Sequence, residues 1–407
     1  MKEWDVLVIG AGAAGCFSAI KASENFKQAR IAILERSSKP LAKVKISGGG
    51  RCNVTNVISE PGELSTHYPR GERFLKKAFY QFTSSDMKAW LESKDVPLKL
   101  YPDGCYFPVS NDSQTIIDCF LNELKKKEVQ LLLNQRVELI KKTDSGLFEV
   151  QTPDGTYYSK TVIVTTGGQP KVSGFELLKE FNLKIVPPVP SLFTFNMPNE
   201  PIKELMGIVQ ESALVKIIGE KWASNGPLLI THWGMSGPAV LKSSAFGARI
   251  FESKGYQSQI AVNWTGEENQ ESVRGVINEF IKSNKLVVNT PLYTIKSRLW
   301  VYLVDKAGIP NQFKCSELTL KHRNKLLEIL VNDVYSMEGK TTFKEEFVTA
   351  GGVDLNEINV QTMESKKVPG LFFAGEILDI DGVTGGFNFQ AAWTTAAIAG
   401  KNVLENR

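Results

Sequence analysis

The sequence has few cysteines and few histidines, lacks a long apolar run and carries almost no excess of either charge. Its five cysteines, Cys16, Cys52, Cys105, Cys119 and Cys315, are odd in number and widely spaced, without a C-x-x-C pair. This pattern excludes a disulfide framework and a zinc site, so we expect no metal and a reducing, cytoplasmic setting. No stretch approaches the length of a transmembrane helix, and the first apolar run is too short for a signal peptide.

The net charge of +4 is small for 407 residues and gives no reason to expect nucleic acid or an acidic membrane as a partner. With 42% hydrophobic and 23% charged residues, the composition is ordinary for a globular protein, and the length allows two or three domains. We therefore expect a small-molecule substrate. The oligomeric state does not follow from the sequence.

A glycine-rich turn lies at the start of the chain, where residues 10–15 read G-A-G-A-A-G. It follows the apolar run 6–9 and precedes residues 13–23, whose small and apolar spacing predicts a helix. In this order Gly10 permits the sharp turn, Gly12 lets a pyrophosphate approach and Gly15 allows helix and strand to pack closely. The stretch predicts a dinucleotide site; the alternative is a tight turn without a ligand.

A carboxylate at the end of the next strand supports a bound dinucleotide. Residues 31–34 form a second apolar run that ends at Glu35, twenty residues after Gly15. A carboxylate in this place accepts hydrogen bonds from the ribose hydroxyls of an adenosine. The sequence has no second fingerprint of this kind, so we expect no separate NAD(P)H domain like that of the disulfide reductases.

Residues 47–56, S-G-G-G-R-C-N-V-T-N, form a second candidate for ligand binding. Three consecutive glycines are conformationally costly and indicate close approach of the backbone to a ligand. Arg51, Asn53 and Asn56 supply donors suited to phosphate, ribityl hydroxyls or ring carbonyls. A flexible loop is the alternative, and Cys52 is interpreted as a packing residue.

Two later strands end in small residues, which let the chain pass close to a nucleotide at the sheet edge. They are residues 161–168, T-V-I-V-T-T-G-G, and residues 370–376, G-L-F-F-A-G-E. The turn 385–390, G-G-F-N-F-Q, precedes an alanine-rich helix predicted over residues 391–400. A helix N-terminus that follows two glycines is suited to anchoring negative charge.

The pattern of elements indicates an inserted domain. Helices are predicted over residues 71–91 and 113–127, and strands over 129–133, 136–141, 147–152 and 157–159. After the prolines at 187, 188 and 190, short β-like runs cover 192–196, 209–218, 228–231 and 257–263, and helical texture covers 270–337. The predicted domains are a discontinuous nucleotide-binding domain (1–189 and 343–407), an inserted β domain (190–269) and a helical subdomain of the insert (270–342).

Together these segments resemble the two-dinucleotide-binding class of flavoproteins. More closely, nearly the whole chain is similar to the HI0933-like flavoproteins, a family of NAD(P)/FAD-dependent oxidoreductases that includes aminoacetone-oxidase-like members. The stretches that carry the resemblance are residues 10–15, Lys43 with 47–56, 231–239 (T-H-W-G-M-S-G-P-A), 349–353, 362–365 and 375–390.

The resemblance implies an α/β fold, with a Rossmann-like FAD-binding domain, an inserted β-barrel-like domain and a small helical subdomain. It also implies a non-covalent FAD whose adenosine lies near residues 10–15, Glu35 and Val137 and whose flavin lies near 43–53 and 385–390. The residues expected to bind FAD are Gly10, Gly12, Ala13, Ala14, Gly15, Glu35, Arg36, Lys43, Ser47, Gly48, Gly49, Gly50, Arg51, Cys52, Asn53, Val137, Thr166, Gly167, Gly168, Gly375, Glu376, Asp381, Gly385, Gly386, Phe387, Asn388 and Gln390.

The sequence departs from the family pattern in two places. Gly104-Cys105 stands where family members commonly have Gly-Arg, and residues 169–174, Q-P-K-V-S-G, lack the usual run of glycines and threonines. If these positions shape the substrate side, the substrate differs from that of the relatives.

Within a flavoprotein the isoalloxazine carries the chemistry, and the protein supplies orientation and electrostatics. We expect hydride exchange at N5 with an unidentified small organic substrate, with NAD(P)H as a transient reductant and the direction of electron flow open. The turn 385–388 is predicted to stabilise negative charge near N1. His232, beside a glycine turn, and Arg51 are the candidate catalytic residues; a histidine satisfied by the turn backbone is the alternative.

Other readings stay open. His67 and His322 lie in polar surroundings and are predicted to be surface residues. The alternative functions are an RNA-modification factor and a non-catalytic flavin- or NAD-binding protein. Separate ligand-approach segments at Gly48, Gly167, Gly375 and Gly385 favour a long, bent FAD over NAD, and the absence of a basic, aromatic-studded stripe argues against RNA.

Overall fold

The computed structural model describes residues 3–340 and 348–405. The helices, in chain order, are α1 (Ala13–Asn25), α2 (Ala42–Gly50), α3 (Pro61–Ser65), α4 (Glu72–Phe79), α5 (Ser84–Glu92), α6 (Ser113–Lys126), α7 (Pro238–Phe246), α8 (Ala248–Ser253), α9 (Gln270–Phe280), α10 (Ser297–Lys306), α11 (Leu320–Val331) and α12 (Phe387–Asn402). The strands are β1 (Glu3–Ile9), β2 (Ile31–Leu34), β3 (Thr55–Asn56), β4 (Leu98–Leu100), β5 (Cys105–Pro108), β6 (Gln130–Leu132), β7 (Leu139–Lys142), β8 (Phe148–Thr152), β9 (Gly155–Val164), β10 (Ile185–Ser191), β11 (Phe195–Asn196), β12 (Val209–Ile217), β13 (Ala223–Thr231), β14 (Gly234–Ser236), β15 (Gln257–Asn263), β16 (Asp333–Glu338), β17 (Val348–Val353) and β18 (Leu371–Phe373).

The chain forms two compact units, one of Met1–Pro190 with Val348–Arg407 and one of Ser191–Phe347. Strand β10, which contains the proline-rich stretch, stands where the chain leaves the first unit. It pairs with β17 in a two-stranded sheet. The predicted boundary between residues 342 and 343 lies outside the described residues. The predicted division of the insert at residue 270 stays a prediction.

The first unit is built on a twisted sheet with the order β6-β2-β1-β9-β8-β7, and β18 also pairs with β9. Strands β6, β2, β1, β9 and β18 run parallel, whereas β8 is antiparallel to both β7 and β9. Residues 157–159 and 161–164, predicted as separate runs, belong to the single strand β9. The carboxyl ends of β1, β2, β9 and β18 meet at one edge, where α/β folds bind ligands.

Helices α1 and α12 pack against each other beside this sheet. A Cβ on Gly400 would lie 2.4 Å from the Ser18 carbonyl oxygen, so the two backbones are in direct contact. Helix α12 is buried along most of its length, which explains its run of alanine, threonine and other small residues. It begins at Phe387, four residues before the predicted start.

The helical pattern over residues 71–91 forms two helices and not one. Helix α4 ends at Phe79, and α5 begins at Ser84 after Thr83, whose side chain and that of Asp86 form a capping box. The apolar spacing continues across the break, so the hydrophobic period predicts a single helix. The N-cap at Thr83 instead starts a second one. Helix α6 matches its prediction, with the Asp112 carboxylate accepting a hydrogen bond from the Gln114 N–H at 2.9 Å.

The second unit is built on an antiparallel sheet with the order β11-β14-β13-β12-β15-β16. A bridge between Phe195 and Lys340 joins its two ends, which makes the sheet nearly closed and barrel-like, as predicted. Helices α9, α10 and α11 form an excursion between the neighbouring strands β15 and β16. The helical texture expected up to residue 337 is therefore wrong at its end, because Asp333–Glu338 is a strand.

The predicted α/β, Rossmann-like fold with an inserted barrel-like sheet is confirmed. Over residues 3–340 and 348–405, no helix is long and apolar enough to cross a membrane, and no group of three or more His, Cys, Asp or Glu side chains is placed to hold a metal ion. All five cysteines are free thiols and are buried.

Candidate functional site

The glycines of the first turn serve three different purposes. Gly10 has φ +104°, and a Cβ there would lie 2.8 Å from the Thr165 carbonyl oxygen. A Cβ on Gly15 would lie 1.8 Å from the Gly10 carbonyl oxygen, whereas a Cβ on Gly12 would meet nothing within 4 Å. Gly12 is the N-cap of α1 and has no side chain to offer, so the N–H groups from Ala13 onwards are left for a ligand.

Glu35 lies at the carboxyl end of β2, next to this turn. Its Oε2 accepts a hydrogen bond from the Ala11 N–H at 2.7 Å, and its Oε1 accepts from the Ser37 N–H and Oγ, both at 2.9 Å. The half-buried carboxylate is thus held in one orientation at the sheet edge. Arg36 is exposed beside it, and the half-buried Val137 lies in the connection after β6.

Two threonines follow β9 at the same edge. Thr165 was not predicted as a site residue, yet its Oγ1 donates to the carbonyl oxygens of Ile9 at 2.9 Å and Gly10 at 3.0 Å and so braces the turn. Thr166, which was predicted, has a buried Oγ1 without a hydrogen-bond partner in the described part of the chain. An orphaned buried hydroxyl of this kind is suited to a bound ligand atom.

The loop after β18 lies over the start of α1. Gly375 has φ +78°, and a Cβ there would lie 2.8 Å from the Ala14 Cβ. The next residue, Glu376, accepts from Lys43 Nζ at 2.8 Å and from the Thr349 N–H at 3.0 Å. Gly168, in the segment that follows β9, packs on the same carboxylate, since a Cβ there would lie 2.6 Å from Glu376 Oε1.

The three glycines within the last part of α2, Gly48, Gly49 and Gly50, form a non-helical loop with an exposed backbone. Helical backbone angles are lost at Ser47, Gly48 and Gly49, and Gly48, Gly49 and Gly50 have φ values of +56°, +68° and +84°. A Cβ on Gly49 or Gly50 would meet nothing within 4 Å, as at Gly12. Only glycine adopts three such conformations in a row at low cost, so the loop is shaped for close approach by a ligand.

Arg51 is fixed beside this loop by contacts along one face. Its guanidinium lies over the rings of Phe107 and Tyr101, with centroids 4.4 Å and 5.6 Å away, and its Nε donates to the Gly48 carbonyl oxygen at 3.3 Å. The side chain is nevertheless exposed, so its terminal N–H groups are oriented by these contacts while open to a ligand.

Residues 53–56 and 385–393, far apart in sequence, are joined by a set of hydrogen bonds that we call the latch. With its amide oriented so that both atoms are satisfied, Asn53 accepts from the Gly386 N–H at 3.1 Å and donates to the Thr55 carbonyl oxygen at 3.1 Å. Asn56 Nδ2 donates to the Gly385 carbonyl oxygen at 3.0 Å. The buried part of the latch consists of Thr55 Oγ1 donating to Gln390 Oε1 at 2.7 Å and Trp393 Nε1 donating to the Val54 carbonyl oxygen at 2.9 Å.

The latch fixes the start of α12. Gly385 and Gly386 have φ values of +127° and +86°, and Gly386 is the N-cap, so no side chain occupies the first turn. A Cβ on Gly386 would lie 2.7 Å from the Thr55 carbonyl oxygen. The first-turn N–H groups from Phe387 onwards therefore form a fixed, positively polarised end of a 16-residue helix.

Four residues predicted to bind the cofactor have side chains engaged inside the protein. Asn388 bonds both the N–H and the carbonyl oxygen of Gly382 at 2.8 Å, and Gln390 is fully buried within the latch. Asp381 is fully buried and forms an ion pair with Arg70. Cys52 is fully buried, and burial raises the pKa of its thiol to about 12. These four side chains therefore hold segments of the predicted site in place, and their contact with the cofactor stays a prediction.

His67, predicted to be a surface residue, has one ring face covered. It is half-buried, and its ring stacks on that of Phe387 with centroids 4.2 Å apart and an interplanar angle of 20°. The adjacent Tyr68 is buried and donates from its hydroxyl to the Phe387 carbonyl oxygen at 2.8 Å. No local pattern announces these contacts, because they connect segments that are more than 300 residues apart.

The other histidines lie in the second unit. His232 is exposed on the turn between β13 and β14, with its ring edge against Trp233 at 4.4 Å, and Thr231 Oγ1 accepts from the Gly234 N–H at 3.2 Å. Thr231 therefore stabilises the turn through a hydrogen bond that does not involve the His232 imidazole. A catalytic role for His232 stays a prediction. His322, predicted to be a surface residue, is half-buried with its ring edge against Phe313.

The residues present fit FAD. Among the glycines predicted to contact the cofactor, Gly12, Gly49 and Gly50 are the ones where a Cβ would meet nothing within 4 Å. They lie in two separate segments, as a long ligand requires. The orphaned Thr166 hydroxyl and the two uncapped helix N-termini supply donors for phosphate and ring oxygens, and Glu35 supplies an acceptor for ribose.

Comparison with known proteins agrees with this geometry. The model of the HI0933-like protein Rossmann domain matches residues 4–402. The chain is 29% identical to the ribosomal RNA dihydrouridine synthase of Escherichia coli strain K12 over 99% of both chains. It is 26% identical to the 3-dehydro-bile acid delta(4,6)-reductase of Clostridium scindens over 98% of both chains.

Among solved structures, the 3-ketosteroid delta1-dehydrogenase of Sterolibacterium denitrificans superposes with a TM-score of 0.53 over 100% of both chains at 10% identity, which shows a common fold. The family model covers nearly the whole chain, including every stretch that forms the site. The chain therefore belongs to the HI0933-like family and is an FAD-dependent oxidoreductase with the Rossmann-type FAD-binding fold.

Proposed function

We propose that this flavoprotein reduces a carbon–carbon double bond that is conjugated to a carbonyl group. The two full-length relatives carry names that describe this chemistry on very different molecules, a uracil ring in RNA and a 3-oxo steroid. Reduction of such a bond adds hydride to the carbon β to the carbonyl, places negative charge on the carbonyl oxygen and adds a proton from solvent or from the protein to the α carbon. The shared requirement is a hydride source next to a group that stabilises this oxygen.

The observation that carries the proposal is that the latch connects the start of α12 to the segment that follows Arg51. Residues 53–56 hold the start of α12, and Arg51 is two residues before them with its guanidinium fixed on Phe107. FAD, when bound, supplies the hydride and stores the two electrons. The first-turn N–H groups of α12 stabilise the negative charge of the reduced ring, and the Arg51 guanidinium donates to the substrate carbonyl oxygen.

The remaining residues position these groups. Glu35, Gly12 and the α1 N-terminus hold the adenosine and pyrophosphate, while Lys43 and Glu376 fix the segments beside the glycine loop. We further propose NAD(P)H as a transient reductant, because the sequence contains one dinucleotide fingerprint and the reaction consumes a two-electron donor. A small organic enone is the first candidate substrate.

RNA is the competing substrate, and the name of the E. coli relative is the observation in its favour. The expectation from net charge that nucleic acid is not a partner stays a prediction. Both substrates require a hydride and a group that stabilises the carbonyl oxygen. One assay, reoxidation of the reduced flavin, can therefore compare them directly.

That experiment uses the purified FAD-loaded protein, reduced without oxygen and mixed with 4-en-3-one steroids, simple cyclic enones or a uridine-containing ribosomal RNA fragment. We expect one class to reoxidise the flavin in step with formation of a saturated product, followed by mass spectrometry. Reoxidation by oxygen alone, with every acceptor unreacted, would identify an oxidase and refute the proposal.

A matched pair of variants tests the role of Arg51. Arg51→Lys keeps the charge but loses the planar, stacked donor, so we expect reoxidation by the accepted substrate to slow at least tenfold, about 1.4 kcal/mol in transition-state stabilisation. Arg30→Lys, at the opposite end of β2, serves as the control. Equal rates for the two variants would remove Arg51 from the mechanism.

A further inference from the structure

A cleft lies on the first unit beside the flavin end of the site. It has a volume of about 550 Å³ and is formed between residues 71–77, most of which belong to α4, and the segment 355–366. This volume is within the range of pockets that hold nucleotide-sized molecules. None of its lining residues belongs to the predicted FAD site.

Cations line both walls of the cleft. Arg73 and Lys77 are one helical turn apart on α4, are exposed, and form no ion pair within residues 3–340 and 348–405. Lys366 stands on the opposite wall, where its Nζ donates to the Asn356 carbonyl oxygen at 2.9 Å. Against these three cations the lining contains the single carboxylate of Glu72. The cleft therefore presents net positive charge that the protein itself does not neutralise.

The cleft also has an apolar part. Phe74 is half-buried on α4, and Leu355 and Val360 are half-buried on the facing segment. A planar ring can pack on such a surface while an attached anion reaches the cations. A purely ionic ligand, such as free phosphate, leaves this part of the lining unused.

We propose that this cleft binds a phosphorylated nucleotide, with the phosphate on Arg73, Lys77 and Lys366 and the base against Phe74. The proposal rests on the proposed function, whose reductant, NAD(P)H, and whose competing substrate, RNA, both carry this chemistry. The cleft is close to the turn 385–388, because a Cβ on Gly71 at its edge would lie 2.8 Å from Ile380 and the preceding Arg70 pairs with Asp381.

The test is equilibrium binding to the FAD-loaded protein, with the flavin already reduced and oxygen excluded so that no hydride is transferred. NADPH, NADH and a fluorescein-labelled oligouridylate are the separate probes. We expect at least one probe to bind, and its Kd to rise at least tenfold in the double variant Arg73→Gln/Lys77→Gln. The slope of log Kd against log salt should fall for the same variant, since two phosphate contacts are lost. Binding of NADPH or NADH marks the reductant site, whereas binding of the oligouridylate marks contact with a substrate strand.

The control is Lys27→Gln/Lys125→Gln, which removes two exposed lysines elsewhere on the same unit. Lys366→Gln, from the opposite wall, provides a second and independent disruption, and the visible spectrum of the flavin shows that each variant retains its cofactor. The proposal is overturned if no probe binds the wild-type protein, or if the cleft variants and the control bind equally. Because binding is measured without turnover, failure of enone reduction removes the proposed function alone.

Discussion

At the scale of single residues, Gly12 and Gly15 lack a side chain for different reasons: Gly12 leaves space for a ligand, and Gly15 allows close packing within the protein. A Cβ on Gly15 would overlap the Gly10 carbonyl oxygen, whereas a Cβ on Gly12 would meet only open space in the protein. We expect Gly15→Ala to destabilise the apoprotein by about 1–3 kcal/mol through overpacking. Gly12→Ala should leave apoprotein stability within about 0.5 kcal/mol and weaken FAD binding at least tenfold.

Urea unfolding of the apoprotein and fluorescence titration with FAD separate the two effects. Each variant is the control for the other, since both add one methyl group to the same turn. If Gly12→Ala binds FAD like the wild type, the phosphate does not approach the backbone at this position, and the adenosine half of the site has to be assigned elsewhere.

The buried thiols predict how stability depends on pH. Burial raises the pKa of Cys105 and of Cys119 to about 11 from an ordinary value of 9.0. The unfolded chain therefore loses these protons first, so the contribution of each thiol is complete below pH 9.0 and is lost as the pH rises to about 11. We expect the free energy of unfolding to fall in this window, and to fall less steeply in Cys105→Ala/Cys119→Ala. Urea unfolding at a series of pH values measures both slopes; equal slopes would contradict the assignment.

At the scale of elements, the latch makes a pair prediction. Thr55 and Gln390 are both fully buried, and the 2.7 Å bond between them links β3 to α12. Thr55→Val alone leaves the Gln390 carbonyl oxygen buried without this donor and should cost about 1–3 kcal/mol. In Thr55→Val/Gln390→Leu neither partner is left unsatisfied, so the double variant should be more stable than the sum of the single changes predicts.

A double-mutant cycle by urea unfolding tests the latch. The matched pair Ser110→Ala/Thr115→Val removes an exposed hydroxyl–hydroxyl contact of 2.6 Å and should show no coupling. Additive effects at Thr55 and Gln390 would mean that the bond does not hold the two elements together. In that event the other bonds of the latch, made by Asn53, Asn56 and Trp393, would hold the two elements together.

Local patterns explain which of these elements were predictable from the sequence. The glycine turn, the strands ending in small residues and the alanine-rich helix depend on backbone geometry and period, so their existence and type followed from neighbouring residues. The break between α4 and α5 did not, because the apolar spacing passes over it and Thr83 with Asp86 form the new N-cap. Element boundaries are where tertiary contacts and caps override periodicity.

Long-range pairing explains what the sequence did not predict within the site. Thr165 braces Gly10, and His67 stacks on Phe387, through contacts between segments that only the fold brings together. The same holds for Asp381 and Gln390, which were expected at the cofactor and have protein partners in Arg70 and Thr55. Residue type made these positions candidates for the site, but the choice between a contacting and a supporting role depends on partners that are distant in sequence.

At the scale of the whole molecule, the two units have separate cores. One hydrophobic cluster lies entirely between Phe193 and Met337, within the second unit. With the exception of His232, the predicted site residues belong to the first unit. Ligand binding stabilises the state that binds it, by about 2.7 kcal/mol at a hundred times the Kd. We therefore expect FAD to stabilise the first unit selectively.

Hydrogen exchange measured by mass spectrometry on the apoprotein and the FAD-loaded protein tests this expectation. Amides that exchange by unfolding of the first unit should slow about a hundredfold, with the largest change in peptides covering residues 10–15, 47–56 and 385–390. Peptides from β12, β13 and β15, which form the centre of the barrel-like sheet, provide the internal reference and should change little. Equal protection of both units would show that the chain unfolds as one cooperative body, because stabilisation of one part would then be transmitted to the other. Protection confined to the second unit would contradict the site itself, since the residues expected to hold the cofactor lie in the first.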